Sequence, residues 1–263
     1  MSYLNLVKSL ELLIPKLADE WLPQFFNRTT AEIKSDGSIV TAADYAMQDS
    51  LARELKLLAP EIAMLSEEMS TKKQKEVMDS GQPYWCLDPV DGTNNFHHGV
   101  PLYAVSLALI EHNEIRLGII YDPDRHELFS ACQNSGLRIN GQLHMKPEQP
   151  DILKKCLASV DFKRLNSAMK DRLLQDMPFK SQRNIGTCAL EWAWLAAGRT
   201  QLILHGGEKF WDYAAGTLLL QEAGGLSSTD EGEAIFNNSL QNRLIIAASH
   251  RQLHQQWLAY LTA

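Results

Sequence analysis

The sequence predicts an α+β half, residues 1–145, followed by an α/β half, residues 146–263. Residues 103–132 contain three apolar strand candidates separated by turn-forming residues, which indicates an antiparallel meander. Beyond residue 150, strand and helix candidates alternate, which is typical of α/β structure. The polar, proline-bearing segment 146–150 lies between these patterns, and we place the domain boundary there.

In the first half, five apolar residues at helical spacing predict an amphipathic N-terminal helix: Leu6, Leu10, Leu13, Leu17 and Trp21. A second helix is predicted over 41–58, since Pro60 ends the pattern. Strands are predicted over 62–65 and 85–87, and the meander strands over 103–110, 115–121 and 127–132. Asn140-Gly141 predicts a further hairpin turn.

In the second half, strands are predicted over 156–160, 200–205 and 244–248. Helices are predicted over 166–176, 188–197 and 211–223, with a last helix at the C-terminus. Gly224-Gly225 ends the third of these helices, because glycine favours the position after a helix.

Composition narrows the class of function. The 263 residues carry a net charge of -7, which makes affinity for nucleic acids or anionic membranes unexpected. The four cysteines form no C-x-x-C pair, so zinc-finger and thioredoxin-like chemistry have no support. No apolar signal sequence begins the chain, and we expect a cytoplasmic protein with reduced thiols.

The segment Asp88-Pro89-Val90-Asp91-Gly92-Thr93 is the strongest chemical signal. A buried strand ending in an acid and followed by a proline turn brings Asp88 and Asp91 together, where they repel unless a cation lies between them. Carboxylate oxygens are preferred ligands of Mg²⁺. The amides of Gly92, Thr93 and Asn94 could open a helix and face an anion. The alternative is a surface turn, since these residue types all favour turns.

Three other elements carry acids. Glu67 and Glu68 end a predicted strand, so one carboxylate could point inward, although a solvated acidic pair is the alternative. Asp212 begins a helix with a small-residue run, which favours burial, yet helix capping would also explain it. Thr41 and Asp44 have the spacing of a capping box, which accounts for them locally.

These elements together resemble the inositol monophosphatase family of lithium-sensitive, magnesium-dependent sugar phosphatases. The resemblance covers most of the chain and rests on these segments: 34–44, Ser66-Glu67-Glu68, 85–96, 99–101, Gly186-Thr187, and 211–216 with 222–225. It implies a layered α/β/α/β/α sandwich with the site between the two halves. It also implies a homodimer acting on a small phosphate ester.

The resemblance implies a role for each site residue. Glu67, Asp88 and the carbonyl of Val90 would hold one Mg²⁺, and Asp88, Asp91 and Asp212 a second, with Glu67 helping to hold a third. Thr93, hydrogen-bonded to Asp44, would position and activate the attacking water together with Glu67. The amides of Gly92 and Thr93 would receive the phosphate. Asp91, Cys188, His205 and Asp212 would contact the substrate.

The residues expected to contact the substrate, here called the substrate wall, differ from the family pattern at His205 and Cys188. Inositol-specific members have an acid seven residues before the helix aspartate, and this chain has His205 there. A neutral imidazole cannot replace two anionic acceptors, although Glu208 lies three residues further on. Cys188 replaces an alanine that contacts the ring, and Ser66 stands where many members have glycine. A core or surface histidine without a ligand role remains an alternative for His205.

The resemblance predicts hydrolysis of inositol monophosphate or a similar polyol or sugar phosphate. The alternatives within this chemistry are fructose 1,6-bisphosphate, histidinol phosphate and a 3′-phosphoadenosine nucleotide. An alternative of a different class is a non-catalytic regulatory protein that keeps the fold.

Overall fold

The computed structural model describes residues 2–28, 30–34 and 37–263. Over these residues the chain forms five layers in the order helix, sheet, helix, sheet, helix. The layering matches the sandwich that the resemblance implies. Ser35 and Asp36, which belong to the first segment of that resemblance, lie outside the described residues.

The element bounds are as follows. The helices are α1 (Tyr3–Phe25), α2 (Ala42–Leu58), α3 (Thr71–Asp79), α4 (Thr93–His97), α5 (Ser167–Gln175), α6 (Cys188–Ala196), α7 (Phe210–Glu222) and α8 (Arg251–Thr262). The strands are β1 (Ala31–Ile33), β2 (Ile39–Thr41), β3 (Ala63–Ser66), β4 (Tyr84–Asp91), β5 (Ala104–Glu111), β6 (Glu114–Asp122), β7 (Glu127–Cys132), β8 (Arg138–Ile139), β9 (Gln142–Leu143), β10 (Leu157–Asp161), β11 (Ser181–Arg183), β12 (Leu202–Glu208), β13 (Leu226–Ser228) and β14 (Arg243–Ala248).

The first large sheet has the strand order β3-β4-β5-β6-β7-β8-β9. Only β3 and β4 pair in parallel among the described strands of this sheet, and the rest are antiparallel. The predicted meander is therefore confirmed as β5, β6 and β7. The Asn140-Gly141 turn is also confirmed, because it joins β8 to β9.

The second large sheet has the order β11-β10-β12-β14-β13, with β10 parallel to both of its neighbours. The predicted alternation of strands and helices after residue 150 is confirmed. Sequence patterns did not predict β1, β2, β11 and β13, since three residues are too few to show a period. They also did not predict α3, which is polar and buries only Gln74 and Met78.

Strand β4 shows how the layers are built. Trp85 and Leu87 belong to the core beneath α1 and α2, whereas Tyr84 and Cys86 belong to the core beneath α6 and α7. Successive side chains point to opposite faces of a strand, and here helices cover both faces. This double burial explains why the strand reads as a continuous apolar run rather than as an alternating one.

The middle layer consists of α6 and α7, which contact both sheets. Both helices are buried on nearly all sides, and a Cβ on Gly216 of α7 would lie 2.3 Å from the Cβ of Trp192 on α6. Glycine at this position lets the two helices approach closely. The outer face of the second sheet packs against α5 and α8. No helix in the described part of the chain combines the length and apolarity needed to cross a membrane.

Candidate metal-binding site

Three aspartates from distant parts of the chain converge between the two sheets. Asp88 and Asp91 lie on β4 and Asp212 lies in the first turn of α7, and one carboxylate oxygen from each lies within 4.8 Å of the others. They line a cavity of about 460 Å³. A cluster of acids this close and this buried needs a cation or protons to be stable.

A bulge in β4 brings Asp88 and Asp91 together. The pairing with β5 shifts register between these two residues, and Pro89, which has no N–H to donate, lies within the shift. The strand was predicted to end at Asp88 and to be followed by a proline turn. This prediction was wrong, because β4 continues to Asp91 and every one of its residues is buried. The alternative of a surface turn is excluded for the same reason.

Burial and mutual repulsion raise the pKa values of the three aspartates. Burial raises the pKa of Asp88 well above its usual value, and the charges of Glu67 and Asp91 raise it further. Burial and the charge of Asp91 raise the pKa of Asp212. Burial raises the pKa of Asp91 to about 6, although hydrogen bonds from Thr187 and Ala189 oppose the shift. Oxygen ligands with this charge suit Mg²⁺, so the residues present fit a divalent cation.

Asp44 and Thr93 form a hydrogen-bonded pair beside the aspartates. The Thr41 amide and hydroxyl donate to Asp44 Oδ2 at 2.8 and 2.7 Å, which confirms the predicted capping box of α2. The other oxygen, Oδ1, accepts from the Thr93 hydroxyl at 3.3 Å. Burial raises the pKa of Asp44 to about 6 against the effect of the Thr41 bonds. Capping therefore holds the carboxylate that contacts Thr93.

Gly92 precedes the short helix α4, as predicted from the sequence. Its φ is +90°, and a Cβ at this position would lie 3.0 Å from the carbonyl oxygen of Leu102 and 3.1 Å from the Cβ of Thr187. Only glycine adopts this backbone without strain. Gly92 and Thr93 both line the cavity.

Glu67 and Glu68 follow β3 and are not a solvated pair. Their side chains are 13% and 3% exposed. Glu67 Oε1 lies 3.1 Å from Lys34 Nζ and 3.2 Å from Lys209 Nζ, and Glu68 Oε1 lies 2.6 Å from Lys34 Nζ. Glu67 lines the same cavity as the aspartates but is held between two lysines rather than within the cluster of three.

Two other predicted ligands have local hydrogen bonds. The carbonyl oxygen of Val90 accepts from the Thr93 hydroxyl at 3.0 Å. Asp212 Oδ2 accepts from the Lys209 amide at 2.9 Å, so the capping interpretation of Asp212 is correct as well. Capping fixes this carboxylate at the N-terminus of α7 while the residue lines the cavity.

Two of the residues predicted to contact the substrate lie on the wall of the same cavity. Cys188 begins α6 and His205 lies on β12; both line the cavity, with the Cys188 Sγ 3.9 Å from the His205 Nε2. His205 is buried, and its Nε2 lies 3.0 Å from the Asp161 Oδ2. Glu208 does not replace the missing acid, because it is fully buried and accepts from the indole N–H of Trp192 at 2.7 Å.

Several residues of this site were not predicted from the sequence. The Thr187 hydroxyl and the Ala189 amide, at the start of α6, donate to Asp91. Asn95 donates to the carbonyls of Leu102 and Ile185 at 2.8 and 2.7 Å and so links these two segments at the cavity. The Gly186-Thr187 segment was noticed without a role, and nothing near Asn95 in the sequence signals its contacts.

Comparison with known proteins gives consistent matches. The sequence profile described as "Inositol monophosphatase family" matches residues 7–263. Inositol monophosphatase 1 of Solanum lycopersicum is 34% identical over 220 residues, which cover 80% of each protein. Nus factor SuhB of Pasteurella multocida is 32% identical over 200 residues, or 74% of this chain and 73% of that protein. A structure described as an IMPase/NADP phosphatase complexed with Mg²⁺ and phosphate is 25% identical, with a TM-score of 0.86 over 100% of this chain and 97% of the other.

Proposed function

This chain belongs to the inositol monophosphatase family and is a phosphatase, and on that premise we propose that it hydrolyses a small phosphate monoester of a polyol or sugar with Mg²⁺ as cofactor. The observation that carries this proposal is the convergence of Asp88, Asp91 and Asp212 within 4.8 Å beside the Thr93–Asp44 pair. The cavity volume of about 460 Å³ suits a small ester rather than a macromolecule.

The proposed metal ligands are Glu67, Asp88, Asp91, Asp212 and the carbonyl of Val90, holding two or three ions. The related structure complexed with Mg²⁺ and phosphate supports the choice of ion. When bound, such ions lower the pKa of a coordinated water and stabilise the leaving oxygen. For Glu67 to act as a ligand, it would share its carboxylate with Lys34 and Lys209, which already contact one of its oxygens.

Thr93 and Asp44 are the proposed proton-handling pair, together with Glu67. The Thr93 hydroxyl has one proton, which it gives either to Asp44 or to the Val90 carbonyl. In either arrangement the hydroxyl oxygen keeps lone pairs that can accept a hydrogen bond from water. When the hydroxyl donates to Asp44, a proton taken from that water would be balanced by transfer of the hydroxyl proton to the Asp44 carboxylate. Asp44 holds its position because two bonds from Thr41 fix its other oxygen.

The proposed substrate contacts lie on both sides of the cavity. The amides of Gly92 and Thr93 would receive the phosphate, since helix N-termini favour anions. Asp91, Cys188, His205 and Asp212 would contact the rest of the ester, and all four line the cavity. Fructose 1,6-bisphosphate, histidinol phosphate and 3′-phosphoadenosine nucleotides remain the alternative substrates.

Release of phosphate from a panel of these esters, with Mg²⁺ and then with a chelator, tests the proposal. We expect Mg²⁺-dependent release that Asp91→Asn abolishes, because the substitution removes one charge from the ion-binding cluster. An Asp91→Asn protein with full activity would show that the site is assigned wrongly. An exposed aspartate on α5, Asp171, provides the matched control Asp171→Asn, which should retain activity.

A regulatory role is the second candidate function. It is favoured by the relative named Nus factor SuhB. Absence of turnover on the whole panel, together with calorimetric binding of Mg²⁺, would support this role instead. We further propose a cytoplasmic homodimer, and light scattering during size-exclusion chromatography would measure its mass.

A further inference from the structure

A carboxylate lies on the substrate wall one strand away from the position where the family pattern has its acid. Strands β10 and β12 are parallel neighbours, and Asp161 on β10 pairs in register with His205 on β12. Paired residues point to the same face of a sheet. The His205 Nε2 lies 3.0 Å from the Asp161 Oδ2, and both residues line the cavity.

Both ring nitrogens of His205 are engaged. The Gly207 amide donates to Nδ1 at 3.2 Å, so Nδ1 carries the lone pair and Nε2 carries the proton. That proton is directed at Asp161. The side chain of His205 is 8% exposed and that of Asp161 is 23% exposed. The group presented to the cavity is therefore the carboxylate, and the imidazole orients it.

The packing around His205 fixes this arrangement. The Arg164 guanidinium donates to the carbonyl of Gly207 at 2.6 Å. A Cβ on Gly206 would lie 2.2 Å from the backbone carbon of Arg164, so the two segments are in close contact. The Gly207 amide that selects the tautomer of His205 is consequently held from two sides.

Asp161 has acceptor capacity to spare. Its Oδ1 accepts from the Lys163 amide at 2.8 Å and its Oδ2 from His205, whereas a carboxylate offers about four acceptor positions. The hydrogen bond from His205 lowers the pKa of Asp161 below its usual value, although burial opposes the shift. The group thus stays ionised at neutral pH.

We propose that Asp161, oriented by His205, accepts hydrogen bonds from hydroxyl groups of the substrate's leaving group and so selects esters of polyols. This inference rests on the proposed function and refines it. His205 is a positioning residue. Asp161 on β10 provides the acid that inositol-specific members have at the position of His205 on β12. A second anionic group near Asp161 would be repelled by this carboxylate and attracted by Lys163 and Arg164, which line the same cavity.

The experiment compares inositol 1-phosphate, which has neighbouring hydroxyls, with p-nitrophenyl phosphate, which has none. Values of kcat and KM are measured with Mg²⁺ for the wild type, Asp161→Asn, His205→Leu and His205→Gln. We expect the KM for inositol 1-phosphate, relative to that for the aryl ester, to rise about tenfold in Asp161→Asn, because a charged acceptor becomes a weaker neutral one. His205→Leu should show the same shift. His205→Gln should keep the wild-type ratio, since an amide can both donate to Asp161 and accept from Gly207.

The control is Asp176→Asn, which changes an aspartate paired with Lys154 outside the cavity. An unchanged ratio in Asp161→Asn, or a His205→Leu ratio equal to that of His205→Gln, would overturn the inference. Preference of Asp161→Asn for a sugar bisphosphate would support it, since a repelling charge is gone. If the wild type releases phosphate from neither ester, the proposed function itself has failed. Turnover of both esters with an insensitive ratio refutes only the role of Asp161.

Discussion

Replacement of Asp88 by asparagine should stabilise the metal-free protein while weakening its response to Mg²⁺. The side chain of Asp88 lies with Asp91 and Asp212 in a cluster whose oxygens are within 4.8 Å of one another. Asparagine has nearly the same shape and keeps an oxygen that can accept from the Val90 amide, as Asp88 Oδ1 does at 3.1 Å. The change therefore removes a charge and little else.

The magnitude follows from the separation. Two unit charges within 4.8 Å repel by at least about 3.5 kcal/mol at an effective dielectric constant of about 20. Asp88 has two such neighbours, but partial protonation of the cluster relieves some of the repulsion, which leaves a gain of about 3 kcal/mol. For a chain of this size, that gain corresponds to a rise of roughly 6–12 °C in the unfolding midpoint.

Thermal unfolding followed by circular dichroism at pH 8, in chelator and in MgCl₂, measures both effects. The wild-type unfolding midpoint should rise with Mg²⁺. When the ion is at a hundred times its Kd, binding should add about 2.7 kcal/mol to the free energy of unfolding. Asp88→Asn should begin higher in chelator and gain much less from Mg²⁺. The control Asp171→Asn should behave as the wild type in both buffers. A lower midpoint for Asp88→Asn than for the wild type in chelator would refute the reasoning that these charges repel.

Two further outcomes are expected. Thr93→Ala should lower kcat at least about a hundredfold, because the hydroxyl beside Asp44 is lost. Thr93→Ser keeps a hydroxyl and should retain most of the wild-type kcat. Equal losses of kcat in both variants would contradict a role for the hydroxyl. Burial raises the pKa of Glu208 from 4.5 to about 8, so the folded protein resists ionisation that the unfolded chain permits. Stability should therefore fall as the pH rises from 4.5 through 8, and Glu208→Gln should reduce this fall in urea unfolding at pH 5 and pH 9. A pH dependence identical to that of the wild type would exclude Glu208 as its source.

Long periodic elements could be predicted from the sequence because their burial produces a readable pattern. The stripe from Leu6 to Trp21 and the capping box at Thr41 correspond to α1 and α2 as observed. The end of β4 could not be predicted, because proline and aspartate normally end strands and only the pairing with β5 shows that Pro89 lies in a bulge. Rules based on neighbouring residues predict turns well, but they cannot show that a proline lies in a bulge of a buried strand.

The site also contains residues that could be predicted from the sequence and residues that could not. The acids Asp88 and Asp91 are recognisable because they follow a continuous apolar run, and the structure brings them together with Asp212. The pairing of Asp161 with His205 depends on the register of two strands separated by more than forty residues. No spacing in the sequence encodes that register. The contact between His205 and Asp161 could therefore not be predicted from the sequence.

The middle layer of the fold has a consequence for how the protein is made. Helices α6 and α7 cover the inner face of the first sheet, although they are encoded long after its strands. During translation, Tyr84 and Cys86 therefore cannot be covered by α6 and α7 until residue 222 has emerged from the ribosome. We therefore expect synthesis of the second half to govern when the first becomes resistant to protease.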